Sequence, residues 1–341
     1  MSKIKNKSFL PALLVVCIVM AHIASAQVRW QNVDSAFGNI PEGFHVFASN
    51  DSLDNMPFRA FYAVADLKSK GLNFTMDTTH QRRLTPLQFF EKNNTPLLVV
   101  NTTFFSFATN QNLNLVIKKG KMLGFNIHSL PGRGKDTFTY RHVFNGAIGI
   151  SKNRKADVAW VYSDSFHKFP LASQQAVAFR KDSTQYISYE DVRSMKFSNG
   201  HAPYAMRPYP KLSHNFNKWK METAAGGGPV LIQGGEINVS NNEELKFNGK
   251  AINDKHPRTL MGYTADNKLI VMVVEGRNPG VADGVTLTQA AQLLKDVGCI
   301  EALNLDGGGS SCMLINGRET IRPSDKAKQR PVPAVFIIAD K

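Results

Sequence analysis

Short apolar runs separated by turn-forming residues dominate the chain, and most have the length and alternation of strands. Phe58 to Leu67 alternates around Phe61 and Val64, and Leu97 to Val100 is a compact apolar run. Leu113 to Ile117 enters the turn Lys118-Lys119-Gly120-Lys121 and returns at Met122. Thr259 to Tyr263 and Leu269 to Val274 flank Asp266-Asn267-Lys268, a second hairpin. Only two segments carry a helical period. Thr85-Pro86 opens a short helix through Phe90, with proline tolerated in the first turn. Leu287 to Val297 places Ala290, Ala291, Leu293, Leu294 and Val297 on one side, capped by Thr286 or Thr288 and ended by Gly298. It leads into the strand Ile300 to Leu305, the loop Asp306-Gly307-Gly308-Gly309-Ser310-Ser311 and a strand from Cys312 to Ile315. Asn316-Gly317 turns the chain again, and Val335 to Ala339 closes it as a strand. The pattern predicts an α+β fold with few helices and a large, mainly antiparallel mixed sheet. From about 164 to 222 the chain is irregular and rich in His, Tyr, Pro and Lys, as an insertion or a lid-bearing segment would be.

Composition excludes several classes. In 341 residues, 43% hydrophobic and 20% charged, with 25 glycines spread throughout, there is no disordered, collagen-like or coiled-coil signature. Three cysteines exclude a disulfide-built scaffold, and pairing of Cys299 with Cys312 stays open. The first 26 residues read as a signal peptide: Lys3, Lys5 and Lys7, an apolar core from Phe9 to Met20, then Ala24-Ser25-Ala26 before Gln27. Cleavage would leave a periplasmic or extracellular protein with no membrane span. A lipoprotein anchored at Cys17 ranks second, because Val15 and Val16 stand where small residues are usual. The net charge of +14 fits either general solubility or an anionic substrate. Its Lys and Arg are scattered, without a basic stripe, helix-turn-helix or zinc-ligand spacing, which argues against nucleic acid.

Candidate chemistry concentrates in the last third. Asp306 stands where a buried strand ends and three glycines begin, so a rigid carboxylate adjoins backbone that a ligand can approach closely. Gly307, Gly308, Gly309 and Ser310 are the candidate ligand-holding positions there, and the absence of a following lysine excludes a P-loop. Arg258, in His256-Pro257-Arg258-Thr259, offers a planar fork for phosphate or carboxylate. Pairing across the Asp266 turn sets residues near 258 opposite residues near 276, so Arg258 and Thr259 should meet Glu275 and Arg277 at one edge. Gly227, in Gly226-Gly227-Gly228-Pro229, marks a close approach or a plain turn, and Asn101 binds ligand or caps a turn. The histidines, among them His201 and His214, have no metal-ligand spacing.

In this order the blocks Asn101 to Phe105, Gly226 to Leu231, His256 to Thr259, Glu275-Gly276-Arg277, Gly284 to Leu294 and Asn304 to Ser310 resemble the phosphodiester glycosidases. The similarity spans roughly Leu97 to Ile150 and Glu222 to Ala339, which suggests a domain over 97–341 with the 164–222 insertion and N-terminal strands from 27–96 packed on it. Two positions depart from the family pattern: Thr102 follows Asn101 where a small residue is usual, and Glu275 stands where Asp is frequent. The resemblance implies hydrolysis of the bond between a sugar's anomeric carbon and phosphate in a glycan phosphodiester, with N-acetylglucosamine-1-phosphodiester one candidate and a sugar-phosphate or phosphoglycan as partner. Catalysis would fall to Asp306, with Glu275 second and Arg258 or Arg277 clamping the phosphate. The scheme requires no cofactor; a divalent ion at Asp306, Glu275 and Asn101 stays open, since oxygen-ligand sites lack a fixed spacing. The alternative is a non-catalytic exported binding module for phosphorylated or acidic glycans.

Overall fold

The computed structural model describes residues 28–131, 140–178, 180–181, 216–326 and 328–340. The signal-peptide segment, Cys17, His201 and His214 lie outside the described residues. In chain order the strands that build the site and its support are β1 (Phe44–Leu53), β2 (Met56–Asp66), β3 (Leu72–Thr78), β4 (Leu98–Asn101), β5 (Val116–Lys118), β6 (Asn145–Ile150) and β7 (Ala156–Tyr162). They continue with β8 (Thr223–Gly226), β9 (Val230–Gln233), β10 (Arg258–Thr264), β11 (Lys268–Val274), β12 (Cys299–Asn304), β13 (Met313–Ile315) and β14 (Ala334–Asp340). The helices are α1 (Pro86–Lys92), the single turn α2 (Asn241–Glu244) and α3 (Leu287–Asp296).

Every strand pairing among the described residues is antiparallel. The strands divide among several sheets, however, where the pattern alone suggested one large one. The largest runs β1-β2-β11-β10-β12-β9, edged by the two-residue strands Gln31–Asn32 and Glu236–Ile237. A second has β7-β6-β8-β5 at its centre, and a third pairs β13-β4-β14-β3. A small three-stranded sheet stands apart from these. The division has a packing reason. One shared core takes side chains from all three larger sheets, among them Val271 and Val273 of β11, Ile148 of β6 and Phe336 of β14. The opposite faces are closed separately. Ile270, Met272 and Val274 pack against Leu287, Ala290, Ala291 and Leu294 of α3, and Val99, Leu314 and Ile337 pack against Phe89 of α1. Both faces of β11 are thus buried, which explains its unbroken apolar sequence from Leu269 to Val274.

Local signals act as the pattern foresaw. Thr85 and Thr286 each cap their helix through a reciprocal box with Gln88 and Gln289, which satisfies N–H groups that the first turn leaves open. Gly298 ends α3 with φ of +91°. Lys119-Gly120 and Asn316-Gly317 adopt left-handed backbone at their hairpin turns, the conformation whose twist matches the strands. Cys299 and Cys312 are free, buried thiols in separate apolar clusters, one beside α3 and the other beside α1. Burial pushes both thiols up.

Candidate active site

The ends of three strands hold the Asp306 loop. As the chain leaves β12, Leu305 N–H donates to the Thr259 carbonyl at 2.8 Å and Asp306 N–H to the Thr102 carbonyl at 2.7 Å. Asn101, the last residue of β4, donates its side-chain amide to the Asp306 carbonyl at 2.6 Å. Its Oδ1 accepts from the Thr259 hydroxyl at 2.8 Å and from Cys312 N–H at 3.1 Å. Asn101 and Thr259 have no exposed surface. They clamp β4, β10 and the Asp306 loop together through these bonds. Thr102 contributes through its backbone alone, and its buried hydroxyl has no partner.

The glycines divide between two tasks. Gly308 has φ of +59° and donates its N–H to the Pro257 carbonyl at 2.8 Å. Gly309 leaves space that the Arg330 guanidinium fills, and any Cβ there would collide with it. The Gly307 N–H turns onto the Asp306 carboxylate, so two of the three N–H donors expected to hold a ligand serve the loop itself. Gly227 is pressed against strand β12: a Cβ there would stand 2.7 Å from the Asn304 carbonyl oxygen. Its place is structural, at the wall behind Asp306.

Cations converge from four directions. Arg258 opens β10, and the β10–β11 register sets it opposite Val274. Arg277, just beyond β11, therefore arrives at the same edge. Arg258 is 2% exposed; its Nε donates to the Val285 carbonyl at 3.1 Å, and the guanidinium lies 5.5 Å from the Phe247 ring centre. Burial, and then the Arg277 charge, lower its pKa to about 10. Arg277 lies over Gly308, where a Cβ would sit 3.3 Å from both terminal nitrogens, and donates to His256 Nδ1 at 3.2 Å. Burial and the two arginines hold His256 below its usual pKa, so it is the neutral acceptor. Among the described residues neither Arg258 nor Arg277 has a carboxylate within ion-pair distance. Serine 310 is buried and takes a 3.4 Å contact from Arg330, which also pairs with Asp325 at 2.8 Å.

Lys246 and Glu244 carried no sequence signal as site residues. Glu244 is buried and accepts from Gly146 N–H and Val230 N–H, each at 2.8 Å, and from the Ser240 hydroxyl at 2.7 Å. Burial pushes its carboxyl up, against the pull of Lys246. Gly228 makes room for both side chains; a Cβ there would stand 2.6 Å from Lys246 Cε. The Lys246 ammonium lies 4.9 Å from the Phe104 ring centre, and Phe104 meets Phe247 edge-on at 6.2 Å. Burial brings Lys246 down to about 8, with Glu244 and Asp306 opposing. The retrievable clue was Gly228, whose missing side chain admits these groups; the groups themselves sit in a loop without periodicity.

Asp306 is half-buried, and of these cations Arg330 and Lys246 act on it directly. Burial pushes its carboxyl up to about 7, although the Ser310 hydroxyl, Arg330, the Gly307 N–H and Lys246 all favour the anion. Glu275 does not join it as a second free carboxylate. It has no exposed surface, accepts from Asn278 Nδ2 at 2.7 Å and Arg322 N–H at 3.1 Å, and lies 3.7 Å from Arg59. The register brought Glu275 to the right end of the hairpin, but its side chain turns into the packing and braces the Arg277 loop. Among the described residues no three His, Cys, Asp or Glu side chains cluster as a metal site, and the side-chain oxygens of Asn101 and Glu275 are already engaged by protein donors. A cavity of about 670 Å³ exists elsewhere, at the turn end of the β10–β11 hairpin, lined by Phe47, Tyr62, Asp66, Asp266 and Lys268. None of Asp306, Arg258 or Arg277 lines it.

The family model for phosphodiester glycosidase matches residues 145–339. Mouse N-acetylglucosamine-1-phosphodiester alpha-N-acetylglucosaminidase is 28% identical over 103 residues, covering 28% of this chain and 20% of that protein. The SPbeta prophage-derived uncharacterized protein YomE of Bacillus subtilis is 35% identical over 86 residues, covering 25% of this chain and 13% of that one. The chain thus spans about a fifth or less of these relatives' length. Among solved structures, the zebrafish N-acetylglucosamine-1-phosphodiester alpha-N-acetylglucosaminidase catalytic domain, auto-inhibited by its pro-peptide, shares the fold with a TM-score of 0.53 and 19% identity. That match covers 92% of this chain and 89% of that one. A hypothetical protein from Synechocystis matches with a TM-score of 0.57 at 15% identity, over 92% and 64% of the two chains.

Proposed function

The chain belongs to the phosphodiester glycosidase family, and from that premise we propose that it hydrolyses the bond between a sugar's anomeric carbon and phosphate in a glycan phosphodiester. One observation carries this reading: a half-buried carboxylate, Asp306, acted on by Arg330 and Lys246, opens a glycine loop against which Arg258 and Arg277 are set, and among the described residues neither arginine has a carboxylate partner. The buried Arg258 guanidinium is costly unless an anion completes it, Arg277 stands exposed beside it, and a phosphodiester is such an anion.

The reaction follows from the groups present. Arg258, Arg277 and Lys246 bind the phosphate and stabilise the charge that it gains as the C1–O bond breaks. The bond's electron pair leaves with the phosphate monoester, a good leaving group that needs little help from a general acid. The ionised Asp306 takes a proton from a water that attacks C1, and the free sugar departs with the hydroxyl. The engaged oxygens of Glu275 leave Asp306 as the site's base, with Glu275 as a brace. N-acetylglucosamine-1-phosphodiester is the first substrate to try, since the mouse relative bears that substrate's name. Export also belongs to this reading: the N-terminal segment has signal-peptide character, and among the described residues no helix is long and apolar enough to cross a membrane.

The same carboxylate keeps a second reading in play, a module that binds phosphorylated glycans without cleaving them. Incubating the mature protein with an N-acetylglucosamine-α-phosphodiester and assaying free sugar decides between them. Turnover that D306N abolishes is the expected result. Tight binding without release, unaffected by D306N, would establish the binder.

A further inference from the structure

Phe107 is 63% exposed, on the loop that follows β4 and Phe104. An exposed aromatic is by itself unremarkable on a protein surface; the way this ring is held is not. Its loop is braced by Ser106 N–H on the Gln111 carbonyl and Leu113 N–H on the Phe104 carbonyl, both at 2.9 Å. Thr109 N–H adds a 3.2 Å bond to the Ser106 hydroxyl. The ring leans on buried Phe105 at 4.8 Å between centres. Arg83 reaches both rings, 5.1 Å from Phe105 and 5.3 Å from Phe107. Arg330, the guanidinium that fills the space over Gly309, lies 5.3 Å from Phe107 on its own account. Phe107 is therefore one guanidinium away from the Asp306 loop. Arg330 has Asp325 for a partner, whereas among the described residues Arg83 has no carboxylate within ion-pair distance.

We propose that Phe107 and Arg83 form a subsite for a second sugar unit of an anionic glycan, next to the scissile phosphodiester. A pyranose presents a flat C–H face that covers exposed aromatic surface, and a ring held by a braced loop loses little freedom when it is covered. The planar fork of Arg83 suits a phosphate or carboxylate on that second unit. The chain's charge of +14 favours such a polyanion over a neutral one. The preferred substrate is then an oligosaccharide or polymer that repeats its negative charge, and a lone sugar phosphodiester leaves the second position empty. This inference rests on the Asp306 loop being the phosphodiester site.

The test compares the full mature chain with F107A, F107W and R83Q on three diesters of sugar-1-phosphate. The aglycones are methanol, a neutral disaccharide, and a disaccharide bearing either a phosphate or a uronic carboxylate. For the methyl diester all variants should match the wild type. For both disaccharide diesters F107A should raise KM about fivefold to tenfold with kcat steady, and F107W should restore it. R83Q should raise KM only where the second unit is charged, and added salt should narrow that difference. Comparing the phosphate and carboxylate arms identifies the anion. Equal KM values for wild type and variants on every extended diester would overturn the subsite. So would a loss in F107A of co-sedimentation with anionic vesicles in place of any glycan effect, which would make the ring a lipid contact. If the wild type cleaves none of the diesters, the hydrolase reading fails by itself. Calorimetric binding of the charged disaccharide, weakened in F107A and R83Q, would still uphold the subsite, and its absence would end it.

Discussion

The two ends of the β10–β11 hairpin are built from the same pair of strands, yet they treat charge in opposite ways. At the turn, Asp266 and Lys268 form a 2.8 Å pair in open solvent. Each stabilises the other's charged form: the lysine lowers the Asp266 pKa and the aspartate raises that of Lys268. At the far end, among the described residues, Arg258 and Arg277 stand without carboxylate partners, Asp306 is pushed up to about 7 and Lys246 down to about 8. The 670 Å³ cavity lies at the turn end, so this hollow and the Asp306–Lys246 charges are at opposite ends of one hairpin. We assign the proposed site to the Asp306 end by its held-back charge rather than by empty volume, because an ionisable group is kept from water only where surrounding structure enforces it.

Neutralising one acid at each end of the hairpin gives the largest contrast. D306N should lower kcat/KM on a cleavable phosphodiester by about 10³-fold or more, and D266N should leave it within about twofold. The folded chain holds the Asp306 proton more tightly than the unfolded chain does. That contribution to stability is present at low pH and is lost as pH rises through about 7. D306N should therefore be more stable than wild type at pH 8, by about 1–4 kcal/mol in denaturant titration. Loss of both activity and stability would mean that Asp306 is a structural residue.

Next in size is the distinction between base and brace. E275Q keeps the shape of Glu275 but removes a charge shared by Arg59, Asn278 and the Arg322 N–H. It should lower stability by about 1–3 kcal/mol and kcat/KM by only about tenfold, without changing the form of the pH profile. A loss as large as that of D306N would return Glu275 to the chemistry.

The pH profile of kcat/KM sharpens the comparison further. Asp306 must lose its proton and Lys246 must keep its own, so activity should rise through about 7 and fall beyond about 8. K246M should lower the maximum and erase the alkaline fall. A profile flat from pH 6 to 9 in the wild type would show that neither group titrates in turnover. The smallest effect belongs to Thr102, whose hydroxyl is buried without a partner. T102V should be neutral or stabilising by about 0.5 kcal/mol in thermal unfolding, because it removes an unsatisfied group at nearly constant volume.

Periodicity and turn chemistry identify elements that close locally. The two capping boxes, the Lys119-Gly120 and Asn316-Gly317 turns and the β10–β11 hairpin lie within a few residues of their own signals. The hairpin register is itself local, so the meeting of Arg258 with Arg277 could be derived from the spacing around Asp266. Side-chain direction could not. Glu275 and Arg277 reach the same edge, but one turns inward to Arg59 and the other over Gly308, and the difference depends on contacts from β2 and from the glycine loop.

From its own residues the chain determines an antiparallel α+β architecture, an Asp-Gly-Gly-Gly loop at a strand end and an arginine-bearing hairpin beside it. Tertiary structure alone decided that the strands divide into several sheets around one shared core, that Asn101 and Thr259 become clamps, and that Lys246 and Arg330 act on Asp306. The reason is one of range. Backbone periodicity and turn preference act over a few residues, whereas the partners of a buried charge are chosen by segments tens to hundreds of positions away, and no local pattern records that choice.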